Sequence, residues 1–154
     1  MLMKKFFIIL GSIFLALIIA VGIGIAFVAI KGTALDKESK GYADSAIPAI
    51  VSGWSEKELL DRASPEFKKA VTIDQLDRLF RWVSALGRLQ KCEPAEGHSL
   101  MSATTQNGKM VSAEYAAKAA FEKGEATITL GLIKHGDQWQ IINFHVNSPA
   151  LIPP

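Results

Sequence analysis

Few residues in this chain can do acid–base, nucleophilic or metal chemistry. Its 154 residues hold three histidines, His98, His135 and His145, and one cysteine, Cys92. Proton transfer needs an acid and a base converging on one substrate atom. The candidates for that work are Tyr115 or Glu114 on one extended segment and His145 on another. Glu114 and Tyr115 are neighbours in sequence, so on a strand only one of them faces a given side. His135 lies in a Lys134-His135-Gly136 turn, where a solvated imidazole is expected, and His98 meets His145 only if their strands are adjacent. A metal site normally takes three or four ligands with supporting outer partners. The histidines are spread over separate elements, so no metal and no cofactor is expected. One cysteine excludes an internal disulfide and any multi-cysteine zinc or iron–sulfur site. Cys92 is expected to be buried or, outside the cytoplasm, open to an intermolecular disulfide. There is no GxGxxG, phosphate loop, Gly-x-Ser-x-Gly elbow or CxxC. These counts assign no catalytic residue.

The segments that carry these residues divide at Ile30. From Phe6 to Ile30 the chain holds no charge. At a rise of about 1.5 Å per residue this run exceeds the roughly 30 Å hydrocarbon core, which predicts a transmembrane helix at 6–30 with some tilt. A cleaved signal peptide has a shorter apolar region of about 7 to 15 residues, so an uncleaved signal anchor is the expectation, although Gly24-Ile25-Ala26 resembles a cleavage site. Lys4 and Lys5 face Lys31, Lys37 and Lys40 across the run, and the lysine count alone barely sets orientation. The short charged head matches the start of an export signal. It places 1–5 in the cytoplasm and the rest outside it. Ser12, Ala16, Ala20 and Gly24 recur every fourth residue, a stripe that would let two helices approach closely.

With Lys4 and Lys5 set aside, the 17 Lys and Arg balance the 15 Asp and Glu. A neutral domain offers no net basic surface for phosphates, which argues against a nucleic-acid binder. Residues 31–42 read as a polar juxtamembrane stalk. Leu35, Tyr42, Ala46, Ile47 and Ile50 suggest an amphipathic helix that Pro48 kinks and Gly53 closes. Ser55 before Glu56 and Glu58, and Ser64 before Pro65, are helix start signals. Thr72 and Gln75 match a capping box, and Ile73, Leu76, Leu79, Phe80, Val83 and Leu86 form one face of the helix that Gly87 stops. Asp74 with Arg78, and Asp77 with Arg81, are spaced for ion pairs on a solvated face.

After Arg88 the period becomes two. His98 to Thr105 predicts a strand, and Asn107-Gly108 is a strong hairpin signal. Val111, Ala113, Tyr115, Ala117, Ala119 and Phe121 then alternate with more polar residues. Lys123-Gly124 turns the chain into Ala126 to Leu132, and His135-Gly136-Asp137 turns it into a last strand, Gln138 to Val146. That strand is apolar on both sides, Trp139 and Ile141 on one and Ile142, Phe144 and Val146 on the other, which predicts a central or bulged strand. Trp54, Trp82 and Trp139 are expected in the core. Helices followed by a meander of about four antiparallel strands make an α+β roll.

Ser64-Pro65-Glu66-Phe67-Lys68-Lys69, the helix ending Ala85-Leu86-Gly87, and the closing hairpin Leu132-Ile133-Lys134-His135-Gly136-Asp137-Gln138-Trp139-Gln140-Ile141 resemble small exported bacterial domains of the nuclear-transport-factor-2-like (cystatin-like) superfamily. The resemblance covers nearly the whole domain, 43–148, and leaves 149–154 as a tail. It implies helices packed on a strongly curved antiparallel sheet that forms a cone open at one end. In such relatives the cone serves enzymes, small-molecule binders and assembly scaffolds alike. If the cone binds a ligand here, Tyr115, Phe121, Leu130, Ile142, Phe144 and His145 are the residues expected at it.

The leading expectation is a single-pass protein of the bacterial inner membrane with an extracytoplasmic, non-catalytic binding or assembly domain. Its partners would be the lipid bilayer through residues 6–30 and a second copy or another envelope protein. A small apolar ligand in the cone is the alternative, and a hydrolase or isomerase in the same cavity is the second alternative.

Overall fold

The computed structural model describes the backbone of residues 2–104 and 108–152, and the side chains of 17–23, 33–102 and 108–152. The chain divides into two units, Met1–Ala34 and Leu35–Pro154. Helix α1, Leu2–Val51, begins in the first and ends in the second. Among the described residues no helix is long and apolar enough to cross a membrane. The span expected at 6–30 therefore finds no support there, although most of its side chains lie outside the described set. Of the small-residue stripe, Ala20 is exposed, while Ser12, Ala16 and Gly24 lie outside the described side chains.

The second unit begins at Leu35, inside the segment expected as a stalk, because Leu35 and Tyr42 already pack against the core. Pro48 sits inside the last turn of α1, where it removes the N–H that would bond the Asp44 carbonyl, and Ser52 N–H bonds the Pro48 carbonyl at 2.9 Å at the helix end. Three short helices follow, α2 (Glu56–Arg62), α3 (Pro65–Ala70) and α4 (Ile73–Val83). Each has the cap expected of it. Ser55 accepts from Glu58 N–H, Ser64 from Phe67 N–H, and Thr72 and Gln75 form the reciprocal box. After one 3-10 turn, Ser84–Leu86, Gly87 ends the helical run at φ 82°, a conformation glycine adopts without a Cβ clash. On α4, Leu76, Phe80 and Val83 are buried as expected. Ile73 is 75% exposed and Trp82 50%, so neither belongs to the core. Of the two expected ion pairs only Asp77–Arg81 is among those formed.

The sheet has five antiparallel strands rather than four: β1 (Leu89–Cys92), β2 (Glu96–Thr104), β3 (Gly108–Phe121), β4 (Gly124–His135) and β5 (Gln138–Asn147). It is curved, and β1 and β2 share one side of β3, so the lateral order is β1 or β2, then β3, β4 and β5. The alternation in β3 holds as expected: Ala113, Tyr115, Ala117, Ala119 and Phe121 are buried, and Glu114 and Lys118 are exposed.

β5 is an edge strand, which corrects the central placement. Its two apolar sides come from a bulge. Gly131 opposes Asn143 and Leu132 opposes Ile141, so Ile142 is the extra residue. The inserted residue brings Trp139, Ile141, Phe144 and Val146 all to the inner face and leaves Ile142 38% exposed. Gly131 permits this, because a Cβ there would lie 2.9 Å from Asn143 Cβ. The outer edge of β5 is covered by the α2–α3 linker, where Ser64 N–H donates to the Ile141 carbonyl at 2.8 Å. The helices pack on one face of the sheet over one continuous core running from Ala43 to Leu151.

Candidate functional site

The six residues expected to line a cone divide between the core and the surface. Tyr115, Phe121, Leu130 and Phe144 are all at least nine-tenths buried and belong to the packed core. Trp54 of the α1–α2 turn stacks on Phe121 with centroids 5.0 Å apart, and Phe80 of α4 on Phe144 at 6.1 Å, so both rings pack onto the inner face of the sheet. Ile142 and His145 are exposed. Glu114, opposite His98 across the β2–β3 ladder, is exposed too, whereas Tyr115 faces inward. His145 and Tyr115 are therefore not acid and base across one space. His98 and His145 lie on β2 and β5, which are not neighbours. His135 is exposed as expected and sits 3.2 Å from the Glu66 carboxylate. That carboxyl is held below its usual range first by its own backbone N–H, then by the Ser64 hydroxyl and His135. Among the described residues no group of three His, Cys, Asp or Glu could hold a metal ion.

Cys92 is half-buried, with its Sγ 3.6 Å from the Glu93 carbonyl. Burial pushes its thiol pKa up, and the Asp44 and Glu93 carboxylates push it further. Such a thiol forms thiolate poorly near neutral pH and is a weak nucleophile.

The polar groups that do converge join α1 to the sheet. Asp36 accepts a hydrogen bond from Ser99 N–H of β2 at 2.7 Å and a second from the Ser99 hydroxyl. These bonds, the hydroxyl first, hold the Asp36 carboxyl below its usual pKa, with a smaller contribution from His98. Ser39, fully buried, donates to the Leu35 carbonyl at 2.7 Å and lies 2.8 Å from the Tyr115 hydroxyl of β3. Tyr115 also reaches the Asp36 carbonyl at 3.1 Å. Asp44 accepts from Ala95 N–H at 2.7 Å while paired with Lys40. Glu38 takes the Lys134 ammonium of β4 at 2.6 Å, and that bond is the main cause of its lowered pKa. The Lys134 ammonium also lies 5.6 Å from the centre of the Trp139 ring. One helix segment is thus tied to three strands by directional bonds.

Two open grooves flank this junction and the far edge of the sheet. The first, about 500 Å³, lies between Glu38 and Tyr42 of α1, Asp61 and Arg62 of α2, and Asp137 of the β4–β5 turn. Trp139 lines it as well. Its indole N–H adds to the lowering of the Glu38 pKa without reaching hydrogen-bond geometry, and it is buried without a partner. The second groove, about 740 Å³, runs over Lys91, Lys118, Thr127 and Asn147 to Ile152. Neither is lined by the six residues expected at the cone.

The junction was missed at the level of sequence because 31–42 reads as a solvated stalk. Two signals point to it. A phenol on an otherwise alanine-rich inner face, Tyr115, requires a buried polar partner. Asp36, Lys40 and Asp44 recur every fourth residue and so form one stripe facing the same element. Comparison with protein-family models, with curated proteins and with solved structures gives no match for this chain.

Proposed function

We propose that this is a single-pass membrane-anchored module that works by binding or assembly, its compact α+β unit lying outside the cytoplasm at a bacterial inner membrane. The observation that carries the reading is the junction of α1 with β2, β3 and β4 through Asp36, Ser39, Tyr115 and Glu38. These bonds hold residues 36–44 of α1 against the strands within the compact unit. Attachment to a membrane raises the effective concentration of such a unit toward partners on the same surface.

The uncharged run from Phe6 to Ile30 supplies the anchor in this reading. Kinship with the nuclear-transport-factor-2-like superfamily belongs to this reading through the Ser64–Lys69 segment and the closing 132–141 hairpin. The partner is a second copy or another envelope protein.

The test is native mass spectrometry of the full chain released from its own membrane in mild detergent. A dimer or a defined complex is expected. A bare monomer that also leaves the membrane on alkaline carbonate washing would overturn both the assembly and the anchor.

A further inference from the structure

We propose that the groove between α1, α2 and the β4–β5 turn binds a neutral saccharide through its hydroxyl groups. The site lies wholly within the compact unit and does not depend on the anchor. Its volume, about 500 Å³, falls in the range of about 300–1,000 Å³ usual for small-molecule sites. Its walls are fixed to one another before any ligand arrives. Lys134 of β4 holds Glu38 of α1 at 2.6 Å, and Ser64 N–H, just after α2, holds the Ile141 carbonyl of β5 at 2.8 Å. A site on such walls loses little freedom when it is filled.

One group at this groove asks for a ligand. Trp139 is 6% exposed, and among the described residues its indole N–H is the buried side-chain polar group left without a hydrogen-bond partner. A buried donor left unmade costs more than a typical bond gains. The Glu38 carboxyl is held below its usual pKa first by the Lys134 ammonium and then by this N–H, which faces it without bonding it. The Glu38 side chain is 47% exposed, so it can turn outward and open the N–H to an entering group. An oxygen that accepts from this N–H arrives beside a carboxylate. A carboxylate or phosphate oxygen is repelled there and has no hydrogen to give, and an ammonium cannot accept at all. A hydroxyl can accept from the indole and donate to Glu38.

The rest of the lining sorts the same way. Its charges are mostly matched within the protein: Asp61 with Lys57, Arg62 with Glu58 and Glu38 with Lys134. An anion entering here meets the carboxylates of Glu38, Asp61 and Asp137, and a cation meets Arg62 and, over the Trp139 ring, Lys134. What stays open is hydrogen-bonding capacity of both kinds. Arg62 uses one nitrogen, Nη1, for both of its bonds to Glu58, which leaves donors at Nε and Nη2. Among the described residues Asp137 makes no ion pair or side-chain hydrogen bond, so it is an open acceptor. Gln140 carries a donor and an acceptor in one carboxamide. Neighbouring hydroxyls on a sugar ring use donors and acceptors side by side, and the partly buried Tyr42 ring offers their carbon skeleton an apolar face.

The experiment is a nuclear magnetic resonance titration of the full isotope-labelled chain, in a zwitterionic detergent without a sugar head, followed at the three indole N–H cross-peaks. Trp54, whose N–H already bonds the Gly87 carbonyl at 3.1 Å, and exposed Trp82 are internal references. Trp82→Phe and Trp54→Phe assign the peaks by elimination, so Trp139 stays intact. The probes are glucose, N-acetylglucosamine, cellobiose and maltose, with glucosamine and glucuronate as the same ring carrying a positive or a negative charge. The expected result is a saturable downfield movement of the Trp139 peak with a neutral sugar while the other two peaks hold still. Movement with the disaccharides alone assigns a glycan chain, and movement with the monosaccharides as well assigns a free sugar. A Trp139 peak that no neutral sugar moves would show that solvent or Glu38 alone meets the N–H, and would overturn the proposal. Movement by glucosamine or glucuronate alone, or equal movement of all three peaks, would overturn it too. Asp137→Ala, in an exposed turn, is expected to keep the fold and weaken binding about tenfold, the loss of one hydrogen bond to a charged group. Unchanged affinity in that variant would place the sugar outside this groove.

Discussion

Two faces of the compact unit are held to the sheet by different physics. The α2–α4 face is apolar. Leu59, Phe67, Leu76, Phe80 and Val83 bury against the strands, and hydrogen bonds on these helices serve mainly the caps. The α1 face adds polar bonds to its apolar contacts, from Asp36, Glu38, Ser39 and Asp44 to β2, β3, β4 and the residue before β2. Apolar burial is non-directional and tolerates small shifts of a helix, whereas hydrogen bonds weaken steeply with angle. The first face supplies stability, and the second supplies a defined position for residues 36–44 of α1 within the unit.

The comparison can be broken at either face. The largest effect is expected from Phe80→Ala, which removes a ring stacked on Phe144 in a buried site and costs about 3–5 kcal/mol in denaturant unfolding. Tyr115→Phe keeps the ring and removes only the hydroxyl that reaches Ser39 and the Asp36 carbonyl, so about 0.5–1.5 kcal/mol is expected. Ser39→Ala should cost a similar amount, and the double variant should cost less than the two together because they share a bond. Strict additivity would show that the junction is not a coupled network.

Acid sharpens the contrast further. The carboxyls of Asp36 and Glu38 have folded pKa values below their ordinary ones, so their contribution is present above the unfolded value and is lost as pH falls through the folded one. Unfolding measured across that acidic window should fall more gently in Asp36→Asn than in the parent, and Phe80→Ala should leave the slope unchanged. The smallest effect belongs to Lys57→Ala. Its pair with Asp61 is exposed on both sides and should give no measurable change in stability.

The apolar face was legible in the sequence because its signals are local. Ser55, Ser64 and the Thr72–Gln75 box each act within a few residues, and the alternation of β3 is a short-range pattern. The polar junction was not legible because its partners lie between 51 and 96 residues apart, and no local rule pairs Asp44 with Ala95 or Glu38 with Lys134. β1 escaped because four residues with an intermediate-exposed-exposed-intermediate pattern carry no alternation. Ile73 and Trp82 misled because apolar side-chain type alone suggested burial, and both are exposed. As for the candidate site, Tyr115 was named as a residue for a ligand or a proton transfer, and its hydroxyl is bonded to Ser39 and to the Asp36 carbonyl of α1.

The outer strand β5 is read in two frames. Up to Ile141 the odd-numbered residues face the core, and from Phe144 onward the even-numbered ones do, with Ile142 as the shift between them. Substitution at this exposed position leaves both frames intact. Deletion of Ile142 would change composition by one residue, yet it would force a choice between burying Trp139 and Ile141 or burying Phe144 and Val146. Length at this position is therefore constrained more tightly than identity, and homologous chains should vary at 142 in side chain and not in number.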